Sequence, residues 1–404
     1  MATVLKGGKL IDGTGGKPVA KSVVVIEGER ITKVGKAGDF GADLSELGEV
    51  LDVTGKTVLP GLINSHEHLD NRWGTGTFQS RAAQDTHYLI LRSARNCLWC
   101  LQEGVTTVRD LGGKGFTGLV TQKAVQTGML VGPRIFSCAQ PISMTGGHGD
   151  EICYLADGVD EVLKAARTVI RAGADIVKLM ASGGYVTQGR DAPWSAQYTV
   201  AEMKVAFDEA KKSGRPTTVH AHPPVAIRWA IEAGVDCIEH GGLLDQPTAE
   251  FMAKKGIFLV STLGESWLMA ERGIEMGRPA WLVEESKGHL DARMSHFVPA
   301  VNAGVKIAAG TDVLGDMYTE MTLLMKAGMT AMQAIEASTR VGAEILLQAD
   351  NFGTVIAGKL ADVIVVDGDP LKDIADIKKV QMTFKGGKLY HPEMLAHAMG
   401  KLPL

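Results

Sequence analysis

Apolar and polar residues alternate over short, glycine-broken runs at the start of the chain: VLKGGKLID, SVVVIEGERITKVG and EVLDVTGK. Period-two alternation bounded by glycine marks half-buried strands joined by turns. The same texture returns near the other end, in GTVIAGKLADVIVVDGD and VQMTFKGGKLY. Neither piece makes a good sheet alone, so residues 1–56 and 352–404 are expected to join as one small β-sandwich domain. Between them, over 57–351, the pattern becomes short β-rich runs alternating with helical stretches, the form of repeated βα units. Strands are expected at 58–66, 105–111, 134–139, 175–181, 217–222, 237–241, 257–262 and 306–312. Helical runs such as DEVLKAARTVIRAG and PVAIRWAIEAG end in glycine just before the next strand, as a C-cap would. Eight alternations make one α/β domain, a (β/α)8 barrel of TIM type.

Length agrees, since 404 residues accommodate a barrel of about 250 plus a small module. A net charge of −4 without clustered Lys and Arg leaves no nucleic-acid footprint. No run approaches the roughly 20 apolar residues of a membrane span, and MATVLKGGKLIDG lacks the apolar core of a signal peptide. A cytoplasmic protein is expected, with a small-molecule substrate and further copies of itself, a homo-oligomer, as partners. The cysteines, Cys97, Cys100, Cys138, Cys153 and Cys237, are odd in number and sparse, which fits a reducing compartment. Cys97 and Cys100 form a CxxC, but no second pair exists for a zinc site and the stretch is helix-like, so they read as packing.

Polar outliers on the expected strands carry the chemistry. His66 and His68 end the first strand, and a spacing of two puts both on one face. Lys178 falls in the fourth strand, His220 in the fifth, His240 in the sixth and Asp312 in the eighth. All lie near the C-terminal strand ends, where barrel enzymes build active sites. A lone histidine is usually a hydrogen-bonded core residue, and Asp312 alone could cap a helix. Four histidines and a carboxylate at one rim are instead a ligand set for zinc and its neighbours. Lys178 sits inside the apolar run DIVKLM, where a free ammonium is costly and is no ligand. Its amine carboxylated by CO2 would be an anion able to bridge two cations; pairing with a local acid such as Asp175 is the alternative.

This constellation resembles the binuclear amidohydrolase superfamily: HxH on strand one, carboxylated lysine on strand four, histidines on five and six, aspartate on eight. VLPGLINSHEH, GVTTVRDLGG, HAHPPVAIRWAIEAGVDCIEHG, AAGTD and GKLADVIVVDGDPL agree with it over nearly the whole chain. IVKLMASGG with SMTGGHGD looks most like prolidase-like dipeptidases and imidazolonepropionase relatives. The resemblance implies two divalent metals, zinc foremost, sharing a hydroxide, with Asp312 as general base and then general acid. It also implies that His148, in the loop TGGHGD, helps hold substrate. His222 stands where many relatives carry a carboxylate-binding tyrosine, a departure that puts that contact in doubt. The loop ASGGYVTQGRDAPWSAQ adds Tyr185, Arg190 and Trp194 as candidate pocket residues.

The expected activity is hydrolysis of amide bonds, by a dipeptidase or carboxypeptidase acting on dipeptides or N-acyl amino acids. Hydrolysis of xenobiotic amides, carbamates or ureas at the same metal site is the main rival. Deaminases of the superfamily lack the strand-four lysine and carry a Glu soon after the strand-five histidine, which HAHPPVAI does not have. Metal-free scaffolding relatives have lost ligands, and none is lost here.

Overall fold

In the computed structural model, which describes residues 2–40, 43–72, 78–185 and 192–399, the expected strands recur in order. They are β1 (Leu62–Glu67), β2 (Val105–Asp110), β3 (Arg134–Ser137) and β4 (Val177–Met180), then β5 (Thr217–Ala221), β6 (Cys237–His240), β7 (Phe258–Ser261) and β8 (Ile307–Ala309). Each pairs in parallel with its neighbour from β1 to β3 and from β4 to β8. Their residues are almost wholly buried, as parallel strands covered by helices must be.

One expectation needs correction. The strands do not close into a continuous ring, because β3 and β4 share no ladder. Asp175 bridges the gap instead, its N–H donating to the Ser137 carbonyl at 2.8 Å and its carboxylate accepting from the Ser137 N–H at 2.9 Å. On the other side, β8 meets β1 through a bridge between Glu67 and Asp312, with the Thr311 and Asp312 N–H groups donating to the His66 carbonyl.

The strand expected over 58–66 is two strands. Lys56–Pro60 pairs with Val363–Asp367 and Lys9–Leu10, and β1 begins only after Gly61. Gly61 is required there, because a side chain would come within 2.2 Å of the Thr106 hydroxyl. The sequence could not separate the two, since both halves are apolar.

The ends of the chain form a five-stranded and a four-stranded sheet. Leu5, Val24 and Ile31 from one join Val58, Val363, Val365 and Phe384 from the other in one buried cluster. A larger core fills the space between the parallel strands and their helices. Helices Gly158–Ala172 and Pro224–Ala233 end on left-handed glycines, Gly173 (φ 107°) and Gly234 (φ 95°), which turn the chain back into β4 and β6. Cys97 and Cys100 are buried in helix Thr86–Gln102, as the packing reading holds. Among the described residues, no helix is long and apolar enough to cross a membrane.

Candidate active site

His66, His68, His148, Lys178, Tyr185, His220, His222, His240 and Asp312 line one cavity of about 820 Å³, open mouth included, at the C-terminal ends of the strands. Arg190 lies outside the described residues, and Trp194 is 68% exposed and does not line the cavity.

The histidines form a chain of close rings. Centroids are 4.8 Å apart for His66 and His240, 4.6 Å for His240 and His220, and 4.1 Å for the stacked pair His220 and His148. Asp312 reaches among them, its oxygens 3.6 Å from His68 Nε2 and 3.9 Å from His66 Nε2. Donor atoms of His66, His240 and Asp312 fall within 4.8 Å of one another. Both His240 (φ 74°) and Asp312 (φ 55°) hold left-handed backbone, strain of a kind that collects at functional sites.

Each imidazole is fixed through one nitrogen. His66 Nδ1 donates to Glu239 at 2.8 Å and His68 Nδ1 to the Gly112 carbonyl at 2.6 Å. His220 Nε2 donates to the Gly183 carbonyl at 3.2 Å, and His240 Nδ1 meets the Thr262 hydroxyl at 2.7 Å. Because a carbonyl or carboxylate only accepts, the opposite nitrogen keeps its lone pair. That of His66, Nε2, is buried with no hydrogen-bond partner among the described residues. Burial, assisted by neighbouring cations and rings, holds His68, His220 and His240 well below the usual imidazole range and therefore neutral. Neutral, oriented imidazoles beside a carboxylate fit a divalent cation well.

Lys178 is 2% exposed, and no hydrogen bond or ion pair to its side chain occurs among the described residues. The local-acid alternative fails, because the Asp175 carboxylate is taken by Gln122 Nε2 at 2.6 Å and by the Ser137 N–H.

Sequence reasoning missed the layer behind the candidate ligands. Glu239 is fully buried and joins His66 to Arg109, whose guanidinium donates to it at 2.6 Å, and it also accepts from the Thr218 hydroxyl. Burial alone would raise its pKa, but Arg109 and His66 outweigh it and hold the carboxyl well below the usual range. Glu67 accepts from Arg72, Asn64 and Thr311, and burial pushes it up to about 7. Glu265, Arg278 and Arg293 were also missed, and all three line the cavity. Strand alternation could have flagged Glu239, but it assigns the residue to the face opposite His240.

The family model described as "Amidohydrolase family" matches residues 57–390. This chain belongs to the amidohydrolase family. An ochratoxinase from Aspergillus niger is 32% identical over 433 aligned residues, covering 96% of this chain and 86% of the relative. A solved prolidase complexed with N-methylphosphonate-L-proline superposes with a TM-score of 0.88 at 32% identity, covering 97% of this amidohydrolase and all of that chain. A Xaa-Pro dipeptidase with methionine bound in its active site gives a TM-score of 0.88 at 30% identity, with the same coverage. The α/β fold is accordingly of the barrel type of these neighbours, and the amidohydrolase is a hydrolase acting on C–N bonds.

Proposed function

We propose that this amidohydrolase releases a C-terminal amino acid from dipeptides or N-acyl amino acids, as a dipeptidase or carboxypeptidase does. The observation that carries the reading is a pair of guanidiniums: Arg278 and Arg293 line the cavity, where the carboxylates among the described residues are Glu265 and the candidate ligand Asp312. A buried substrate carboxylate needs such partners, since leaving it unpaired is costly. A prolidase and a Xaa-Pro dipeptidase among the neighbours support the same direction.

His66, His68, His220, His240 and Asp312, with a carboxylated Lys178, would hold two divalent cations, zinc foremost, supplying Lewis acidity to the carbonyl and acidifying water. Carboxylation answers the burial of the Lys178 amine without a partner among the described residues. Asp312 takes the proton of the attacking water and delivers it to the leaving nitrogen. Hydroxyl thereby joins the acyl carbon, the C–N bond breaks, and acid and amine leave. The Gly242 N–H donates to His222 Nδ1 at 3.2 Å, so the neutral ring of His222 carries its proton on Nε2 and can offer it to substrate. His148, stacked on His220, closes the cavity beside Gly184, where any side chain would overlap its ring. In the same reading, the two terminal sheets are a β sandwich set on a barrel that runs from Gly61 to about residue 351.

Ile152, Met180, Met269 and Leu282 give the cavity apolar walls, which favour a second reading, hydrolysis of neutral xenobiotic amides, carbamates or ureas. A panel of dipeptides and N-acyl amino acids, set against neutral anilides and carbamates and assayed for amine release, separates the two. Turnover confined to the neutral set would overturn the first.

A further inference from the structure

The Gly112 carbonyl orients His68, accepting from its Nδ1–H at 2.6 Å. It stands in the turn after β2, between Gly112 and Gly113. Neither position tolerates a side chain. At Gly112, which takes φ 107°, one would come within 2.4 Å of Pro141 Cδ. At Gly113 one would come within 2.3 Å of the Asp70 carboxylate and the Thr117 hydroxyl. A peptide plane between two glycines meets little steric resistance to turning over, which exchanges its carbonyl for its N–H. The restraint that keeps the carbonyl facing His68 therefore has to come from hydrogen bonds.

Arg81 and Asp70 supply it, and both are buried, at 1% and 2% exposure. Arg81 lies in the short helix Phe78–Ala82 and is not among the residues lining the cavity. Its Nη2 carries two hydrogens. One goes to Asp70 Oδ1 and the other to the Gly112 carbonyl at 3.2 Å. A carbonyl oxygen has two lone pairs, so it serves His68 and Arg81 together. Asp70 Oδ2 grips the far side of the turn, accepting from the Thr117 hydroxyl at 3.0 Å and the Lys114 N–H at 3.3 Å. Arg81 Nε and Nη1 are buried with no hydrogen-bond partner among the described residues, so the contacts to Asp70 and Gly112 are what place the guanidinium.

A flipped peptide would present an N–H to His68. The neutral ring would then keep its lone pair on Nδ1 and carry its proton on Nε2, the nitrogen 3.6 Å from Asp312. A protonated Nε2 cannot bind a cation. We propose that Arg81, held by Asp70, is a positioning residue that locks the Gly112 carbonyl toward His68 and so keeps Nε2 free of its proton for the metal. The proposal rests on the reading that His68 is a metal ligand. It goes further by assigning the choice of tautomer to a buried ion pair that touches neither metal nor substrate.

Two readouts on the full chain test it. In metal-stripped protein carrying nitrogen-15 histidine, the ring-nitrogen shifts report which nitrogen of His68 holds the proton, its signals being those lost in His68→Ala. The unaltered protein should show the Nδ1–H form, and Arg81→Gln should shift the ring toward Nε2–H. Competition for zinc with a chromogenic chelator gives the second readout. Arg81→Gln should weaken zinc binding by at least about tenfold. Arg81→Lys, whose ammonium still has donors for both oxygens, should stay within about threefold of the parent. An Nε2–H ring in the unaltered protein overturns the proposal. So does weakened zinc binding in Arg81→Gln with the tautomer unmoved, since Arg81 would then serve only the local fold. Zinc binding kept in Arg81→Gln but lost in His68→Ala overturns the positioning role and leaves His68 a ligand. Zinc binding undiminished in His68→Ala overturns the ligand reading and the proposal with it. A misfolded Arg81→Gln leaves the tautomer of the unaltered protein as the deciding measurement.

Discussion

Replacing Glu239 by glutamine removes an acceptor oxygen where three donors converge: Arg109, the Nδ1–H of His66 and the Thr218 hydroxyl. The amide oxygen can satisfy one side only, and its NH2 must then face another donor. If it faces His66, the ring is driven to the other tautomer, with the proton moved to Nε2, the nitrogen that points toward Asp312. A protonated Nε2 cannot bind a cation. If it faces Arg109, a fully buried guanidinium loses its only ion-pair partner among the described residues. Removing one member of a buried pair costs about 3–5 kcal/mol, and losing the carboxylate behind a ligating histidine weakens metal binding about 10–100-fold. We expect Glu239→Gln to show both losses. Competition with a chromogenic chelator reads the metal affinity, and urea unfolding of the metal-stripped protein reads the stability. Affinity within about twofold of the parent, with stability unchanged to about 1 kcal/mol, would refute the reasoning, because neither donor would then depend on the charge.

Three further outcomes follow from other groups. Lys178→Ala should lower metal content well below two per chain and abolish turnover; elemental analysis showing full occupancy with normal activity would end the carbamate reading. Asp312→Asn keeps the shape but accepts no proton, so kcat should fall by about 10²–10⁴ with metal still bound, and a fall of only a few fold in steady-state kinetics removes it from proton transfer. Glu320 is buried, with its carboxyl pushed up to about 7 from the 4.5 of an unperturbed side chain. A raised carboxyl pKa contributes stability that is complete below the unfolded value and is lost as pH rises toward the folded one. Unfolding free energy should therefore decline between about pH 4.5 and pH 7 and flatten over that window in Glu320→Gln; identical slopes for the two proteins would contradict it.

The strands were legible because each alternation of β-rich and helical pattern is long and is punctuated by glycine. The candidate site was legible because its histidines, Lys178 and Asp312 are polar residues in apolar runs. What stayed hidden depends on angles and on distant partners. The left-handed turn at His240 has no signature in the letters EHG, so Glu239 gave no sign that it would reach His66. Arg278 lies just before helix Ala280–Asn302 and Arg293 within it, in a segment without a motif, and only folding brings them over the cavity. The division at Gly61 was invisible because both flanking strands are apolar, one for the interior of a sheet shared with the C-terminal segment and one for the parallel core. Asp175 was named as a possible lysine partner from proximity along the strand, and it turned out to stitch β3 to β4.

That division at Gly61 has a consequence for the order of assembly. The strand that leads directly into His66 is zipped to Val363–Asp367, about 300 residues further along the chain. During synthesis β1 is made early, and its lead-in can pair at once with Lys9–Leu10, yet it gains its second partner only after the other candidate ligands have been made. Closing a loop of that size comes late in folding, because its entropy must be spent before the contact returns anything. An amidohydrolase chain cut short before residue 363 thus lacks one of the two strands on which the lead-in to β1 is hung.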